Sequence, residues 1–82
     1  MAMLGEIKLF SGSYVPRGWK ECNGQRVNMW DNMGLYGILG DKYGSWGEDT
    51  FALPKINPLP DSDGTGHSIY IIAVEGDYPI RD

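Results

Sequence analysis

Cys22 carries the most reactive side chain in the sequence, and it stands in the stretch WKECNG, three residues after Trp19 and directly before Asn23-Gly24. A cysteine acts as a nucleophile when a neighbouring base, normally a histidine, takes its proton. The only histidine, His67, lies in a distant segment of the chain. Since no activating neighbour accompanies the thiol, the sequence favours a structural role, with Cys22 as a small buried apolar group beside Trp19 and beneath the turn.

The remaining motifs do not indicate catalysis or a metal centre. One cysteine and one histidine cannot complete a four-ligand zinc site. The segment DSDG at 61–64 resembles the start of a calcium loop but lacks the glutamate six residues after Gly64 that the full motif requires. No Gly-Lys-Ser/Thr follows the glycines at 44–47, which excludes a phosphate-binding P-loop. The sequence therefore predicts no enzyme activity, no cofactor and no metal.

Two tryptophans in predicted loops, Trp30 and Trp46, leave two interpretations open. Large aromatic side chains in loops either cover a core or form a binding surface. In the second case Trp46 and Tyr43 would offer a stacking platform for a base or a sugar ring. His67 and Arg81 would then supply polar contacts, because arginine suits bidentate recognition of phosphate.

Length and charge narrow the class of protein. The 82 residues suffice for one domain, and a core of that size needs support, which we expect from self-association. The net charge is −4 and the basic residues are scattered, which disfavours binding to a nucleic acid polymer. No apolar run approaches the roughly 20 residues of a membrane span, and no signal peptide is recognisable. We therefore expect synthesis in the cytoplasm and no membrane partner.

Short alternating segments separated by glycines predict a mainly β fold with one short helix (α+β), a small compact β-roll in a single domain over 1–82. Asn23-Gly24 predicts a tight type I′ hairpin between the second and third strands. The stretch SIYIIAV is apolar on both faces, which indicates a central strand or a strand whose second face meets a partner subunit. We expect strands near 5–10, 19–22, 25–27, 50–53 and 68–74, a helix near 31–39 and a loop at 55–67.

Four segments in colinear order carry a family resemblance: GEIKLF, then P-x-G-W-x-x-C-N-G-Q, then LYGILGDKYG, then TFALP. They resemble the phage tail collar domain, which also opens the microcystin-dependent protein family. The chain departs from that pattern at Ser45-Trp46-Gly47 and after Pro54, and the long variable region of family members is replaced by a short loop. The scaffold residues, from this resemblance and from the turn chemistry, are Trp19, Cys22, Asn23, Gly24, Gly40, Phe51 and Pro54.

The resemblance implies a non-enzymatic structural or assembly component of a tail fibre, homo-oligomeric and trimeric if it forms part of a fibre. Its partners would be tail proteins and its location the virion tail. An alternative is a phage-encoded protein that binds and sequesters a small molecule, such as a nucleotide signal of host defence, in the cytoplasm of the bacterial host. A third interpretation is carbohydrate binding at a cell surface.

Overall fold

The structure is a computed structural model that describes residues 2–45, 47, 49–61, 64 and 66–79. Within these residues the fold is mainly β with one short helix, as the sequence predicts. The elements are β1 (Ile7–Phe10), β2 (Trp19–Glu21), β3 (Arg26–Asn28), a 3-10 turn (Trp30–Asn32), α1 (Met33–Leu39), β4 (Thr50–Ala52), β5 (Leu59–Pro60) and β6 (His67–Ala73).

The main sheet is built around β6, which has β1 on one side and β2 on the other, both antiparallel to it. Ile71 and Ile72 point to opposite faces of this sheet, and both are fully buried. Of the two interpretations of the last strand, the structure therefore supports the central strand, and a single chain buries both faces there.

The two faces of β6 are covered in different ways. Ile72 belongs to the core cluster, whose buried members are Leu4, Cys22, Val27, Leu35, Phe51, Leu53 and Ile72. We call the opposite face, on which Ile71 lies, the outer face. Because β1 and β2 run in the same direction on either side of β6, the connecting segment 11–18 must cross β6. The core occupies the first face, so this segment crosses the outer one, with Val15 and Pro16 half-buried.

The second sheet pairs β3 with β4, and it corrects the predicted hairpin. β2 and β3 do not pair with each other, since β2 pairs with β6 and β3 with β4. The Oδ1 of Asn23 accepts a hydrogen bond from the Gln25 N–H, and Gly24, at φ +79°, donates its N–H to the carbonyl of Pro54. Asn23-Gly24 thus forms a turn, but this turn passes the chain from one sheet to the other.

The helical segment begins with the 3-10 turn and continues as α1, close to the predicted range of 31–39. Neither Asp31 nor Asn32 caps α1 with its side chain. Instead the Oδ1 of Asn28 accepts a hydrogen bond from the Asp31 N–H. Gly40 ends the helix at φ +55° and donates its N–H to the carbonyl of Tyr36, as its type predicts.

The predicted loop at 55–67 is not entirely a loop. β5 pairs with the first residues of β6, with Leu59 opposite Ser68 and Pro60 opposite His67. The two prolines around Leu59 hold the backbone extended, because proline fixes φ and also restricts the residue before it. Between these paired residues, the Asp61 N–H donates to the carbonyl of Gly66 and so continues the pairing.

Candidate functional site

Cys22 is 1% exposed and lies in the core cluster. Its backbone N–H donates to the carbonyl of Tyr70, and its own carbonyl accepts from the Ile56 N–H. Burial, with a smaller contribution from the charge of Glu21, raises the pKa of the thiol to about 11. Since the thiolate is the nucleophilic form, this environment supports the packing role predicted for Cys22.

Trp19 does not lie beside Cys22 as the sequence suggested. Trp19 pairs with Ala73 and therefore occupies the outer face, whereas Cys22 points into the core from the end of the same strand. The two residues are three positions apart, and side chains alternate along a strand. The Nζ of Lys8 lies 4.3 Å from the centroid of the Trp19 ring, so the indole is covered by a cation on its exposed side.

The remaining predicted scaffold residues occupy structural positions. Phe51 is fully buried, and its ring centroid lies 5.2 Å from that of Tyr36 in a tilted arrangement. Pro54 is buried and its carbonyl accepts the Gly24 N–H. Gly24 and Gly40 both have positive φ, which glycine adopts without steric cost.

The residues predicted to bind a ligand do not form one described site. Trp46 and Arg81 lie outside the described residues. Trp30, Tyr43 and His67 are exposed, Trp30 at 62% and Tyr43 at 38%. The Nζ of Lys42 lies 5.5 Å from the Tyr43 ring centroid.

A polar cleft of about 370 Å³ lies where the 3-10 turn approaches the end of β6, and its lining includes Asp31, the residue after Trp30. It is lined by Lys20, Val27, Asn28, Asp31, Asn32, Val74 and Glu75. His67 stands at the other end of β6, seven residues before Val74, which at about 3.3 Å per strand residue separates them by roughly 20 Å. The structure therefore keeps His67 away from this cleft, and Trp30 adjoins the cleft in the chain without lining it.

The charges of this cleft limit what it can bind. Among the described residues that line it, two carboxylates, Asp31 and Glu75, stand against the single ammonium of Lys20. The Oδ1 of Asn28 and the Nδ2 of Asn32 already make hydrogen bonds within the chain. Such a lining suits a neutral hydroxylated molecule or a cation better than a phosphate.

Sequence reasoning missed Lys20 and Glu75 as cleft residues because the pairing of β2 with β6 brings them there. Trp19 opposite Ala73 and Lys20 opposite Ile72 set this register. The sequence signal that could have found them is the two-faced apolar strand, which requires a partner on each side.

Two further properties concern the described residues alone. In them, no group of three or more His, Cys, Asp and Glu side chains is placed to hold a metal ion. None of the helices in this part of the chain has the length and apolar character needed to span a membrane.

The fold and the buried thiol together define a small, mainly β scaffold domain. The family model of the phage tail collar domain matches residues 5–58, well over half of the chain, and the protein belongs to this family. This confirms the resemblance read from the sequence, and the likeness to the microcystin-dependent proteins is compatible with it. The family is one of structural tail domains, so membership indicates a phage tail context. No curated protein matches the chain.

Proposed function

We propose that the protein is a non-enzymatic structural or assembly component of a phage tail, of the tail-fibre type, and that it works as a homo-oligomer. The match to the phage tail collar domain over residues 5–58 is the observation that carries this proposal. A structural tail protein works by keeping stable contact surfaces for its neighbours, and we expect its side chains to serve packing.

The architecture supports the proposal through the way in which the sheet is completed. The matched segment contains β1 and β2, but β6, the strand that joins them, lies beyond it at His67–Ala73. Without β6, both strands would leave unpaired backbone groups at the centre of the sheet. The short loop before β6 lets this chain supply that strand itself, which suits a compact unit that connects or decorates a fibre.

The test is a mass-spectrometric inventory of density-purified phage particles from cells that carry the gene, combined with immunogold labelling of the particles. We expect the protein in stoichiometric amounts at the tail. Its absence from the particles, with abundant protein left in the cell lysate, would contradict the structural role.

Binding of a small molecule is a second candidate, favoured by the polar cleft and by the exposed Trp30, which directly precedes the cleft residue Asp31. Aromatic rings next to hydrogen-bonding groups suit the apolar face of a sugar ring, and the two carboxylates of the cleft disfavour an anionic nucleotide there. Native mass spectrometry of the protein from infected cells separates these ligand classes by the retained mass. Trp30→Ala should abolish sugar binding and keep the fold, since the side chain is 62% exposed. Tyr14→Ala is the matched control, because Tyr14 is another exposed aromatic residue, at 87%, and adjoins no residue that lines the cleft.

A further inference from the structure

Along the edge of β1 that faces away from β6, backbone N–H and C=O groups have no hydrogen-bond partner among the described residues. The Ala73 N–H donates to the carbonyl of Glu6, so this carbonyl and the backbone groups of Lys8 point toward β6, whereas the Glu6 N–H donates to the carbonyl of Met3. In an antiparallel ladder the direction alternates from residue to residue, which turns the N–H and C=O groups of Ile7 and Leu9 away from β6. Among the described residues no strand pairs with this edge.

The opposite edge of the sheet is partly closed by the chain itself. On β2 the outward groups belong to Trp19 and Glu21, because Lys20 faces Ile72. The Trp19 N–H donates to the carbonyl of Pro16 at 3.1 Å. The carbonyl of Glu21 accepts from the Nε2 of Gln25 at 3.0 Å. A second copy that extends the sheet therefore finds more free backbone groups on β1 than on β2, and pairing of β1 with β1 has a twofold axis.

The side chains of the open edge are self-complementary. Ile7 is 40% exposed and Leu9 is 47% exposed, so both offer apolar surface beside the free backbone groups. If two copies of β1 pair antiparallel with Ile7 opposite Ile7, then Glu6 of each copy stands opposite Lys8 of the other. These two pairs are non-hydrogen-bonded positions, where cross-strand side chains approach most closely and opposite charges attract.

The neighbouring register is less favourable. Centring the twofold axis on Lys8 would set Lys8 against its own copy and leave Glu6 opposite Phe10. Like charges directly opposite each other destabilise a strand pair, so charge favours the register centred on Ile7 over the one centred on Lys8.

Among the described residues, the side chain of Glu6 makes one hydrogen bond and the side chain of Lys8 makes one cation–π contact. The Oε1 of Glu6 accepts from the Met3 N–H at 3.2 Å, and the ammonium of Lys8 lies over Trp19. Both side chains are exposed, and Glu6 keeps a second carboxylate oxygen for another partner.

We propose that two copies of the protein associate through antiparallel pairing of their β1 strands, centred on Ile7, with Glu6 of each copy opposite Lys8 of the other. The proposal rests on the self-association part of the proposed function and not on the tail location. It predicts a pair, or an assembly of pairs, and not the trimer attached to a fibre. Since two four-residue strands bury a small area, the pair should be weak.

The test is sedimentation equilibrium of the wild-type protein and four variants from about 1 μM to about 1 mM, the range that covers weak interfaces. We expect a monomer–dimer equilibrium for the wild type. Lys8→Glu and Glu6→Lys should each raise the dissociation constant about tenfold, because two cross-strand pairs change from opposite to like charge. The double variant Glu6→Lys/Lys8→Glu should restore the wild-type constant to within about threefold, because both pairs are opposite again.

Lys42→Glu is the matched control, since it makes the same change in net charge as Lys8→Glu at an exposed residue after α1, and it should leave the equilibrium unchanged. Hydrogen exchange of the full chain gives an independent readout, in which the Ile7 amide becomes more protected as concentration rises while the amide of exposed Tyr14 does not. A monomer at every concentration, a trimer, or a double variant no better than the single ones would overturn the proposal. Each of these results is independent of whether the protein occurs in phage particles, so failure of the interface and failure of the tail role are separable.

Discussion

β1 and β2 enter the main sheet through the same kind of turn, yet their surroundings differ. In each turn a glycine at the third position has a positive φ, +85° at Gly5 and +86° at Gly18, and the fourth residue donates its N–H to the first carbonyl. Both strands then pair with β6. Farther along, Leu9 on β1 is opposite Tyr70 and 47% exposed, whereas Cys22 after β2 bonds to the same Tyr70 and is 1% exposed.

The difference shows that the pairing of a strand and the covering of its edge have separate causes. β6 supplies hydrogen bonds to both neighbours alike. The β2 side is partly covered because the chain turns directly after it at Asn23-Gly24, which lets the Nε2 of Gln25 donate to the carbonyl of Glu21. The β1 side is followed by the crossing segment 11–18, which leads away from its edge.

The largest expected effect comes from disrupting β6, the strand with which both β1 and β2 pair. Ile72 is fully buried between Ile7 and Lys20, so Ile72→Asp places an unpaired charge in the core. We expect a loss of more than about 4 kcal/mol in the free energy of unfolding, which a domain of this size does not tolerate. Circular dichroism along a urea titration should show a protein that is already unfolded without urea.

Ile72→Val is the control for that variant, because it keeps the apolar contact and should cost about 0.5–1.5 kcal/mol. A folded Ile72→Asp protein with altered oligomer mass would mean instead that Ile72 faces a partner subunit.

The second prediction concerns the β2 side of the sheet, where the thiol of Cys22 is buried. Its pKa rises from 9.0 to about 11 on folding, mainly because of burial. Below pH 9 the thiol is protonated in both states and its contribution to stability is complete. As the pH rises from about 9 to about 11 the unfolded chain loses this proton first, so the free energy of unfolding falls by about 2 kcal/mol.

Urea unfolding at a series of alkaline pH values measures this fall. Cys22→Ala is the control, because the tyrosines and lysines that titrate in the same range remain in it. If the variant loses stability with the same slope, the thiol is not the cause.

The third prediction tests whether the two entrance turns are equivalent. Gly5→Ala and Gly18→Ala should each destabilise the protein by about 1–2 kcal/mol, because an alanine pays that cost at positive φ. Sterics add little, since the nearest side-chain atoms to an added Cβ, on Ile38 and on Glu75, are 3.4 Å away. The control is Ser13→Ala, in the exposed part of the crossing segment, which should change the melting temperature little. A clear difference in melting temperature between the two glycine variants would show that the turns are not equivalent.

The sequence predicted the class of fold and the family because both rest on local patterns. Alternation identified the strands, and two apolar faces limited the strand of Ile71 and Ile72 to a central position or to contact with a partner subunit. Pairing partners were less predictable, since Asn23-Gly24 is compatible with a hairpin and with a turn between sheets, and residues far along the chain decide between them. The same limit applies to the cleft, whose Lys20 and Glu75 meet only through the register of β2 on β6.

The substitution with the smallest expected effect on stability would make the β2 edge resemble the β1 edge. Gln25→Met keeps the length of the side chain but removes the Nε2 donor that closes the carbonyl of Glu21. Loss of this part-buried hydrogen bond should cost about 1 kcal/mol or less, because the freed carbonyl can turn to water.

The effect of Gln25→Met on assembly should be larger than its effect on stability. With β1 open and β2 partly opened, copies can also pair head to tail, and such contacts do not close on themselves. Light scattering at high concentration should therefore show species larger than the dimer in Gln25→Met, and Gln25→Glu, which retains the length but places a carboxylate beside that carbonyl, should resist this growth. Equal masses for the wild type and Gln25→Met would show that the Gln25 amide is not what keeps this edge closed, and that the Trp19 N–H bonded to Pro16 is sufficient.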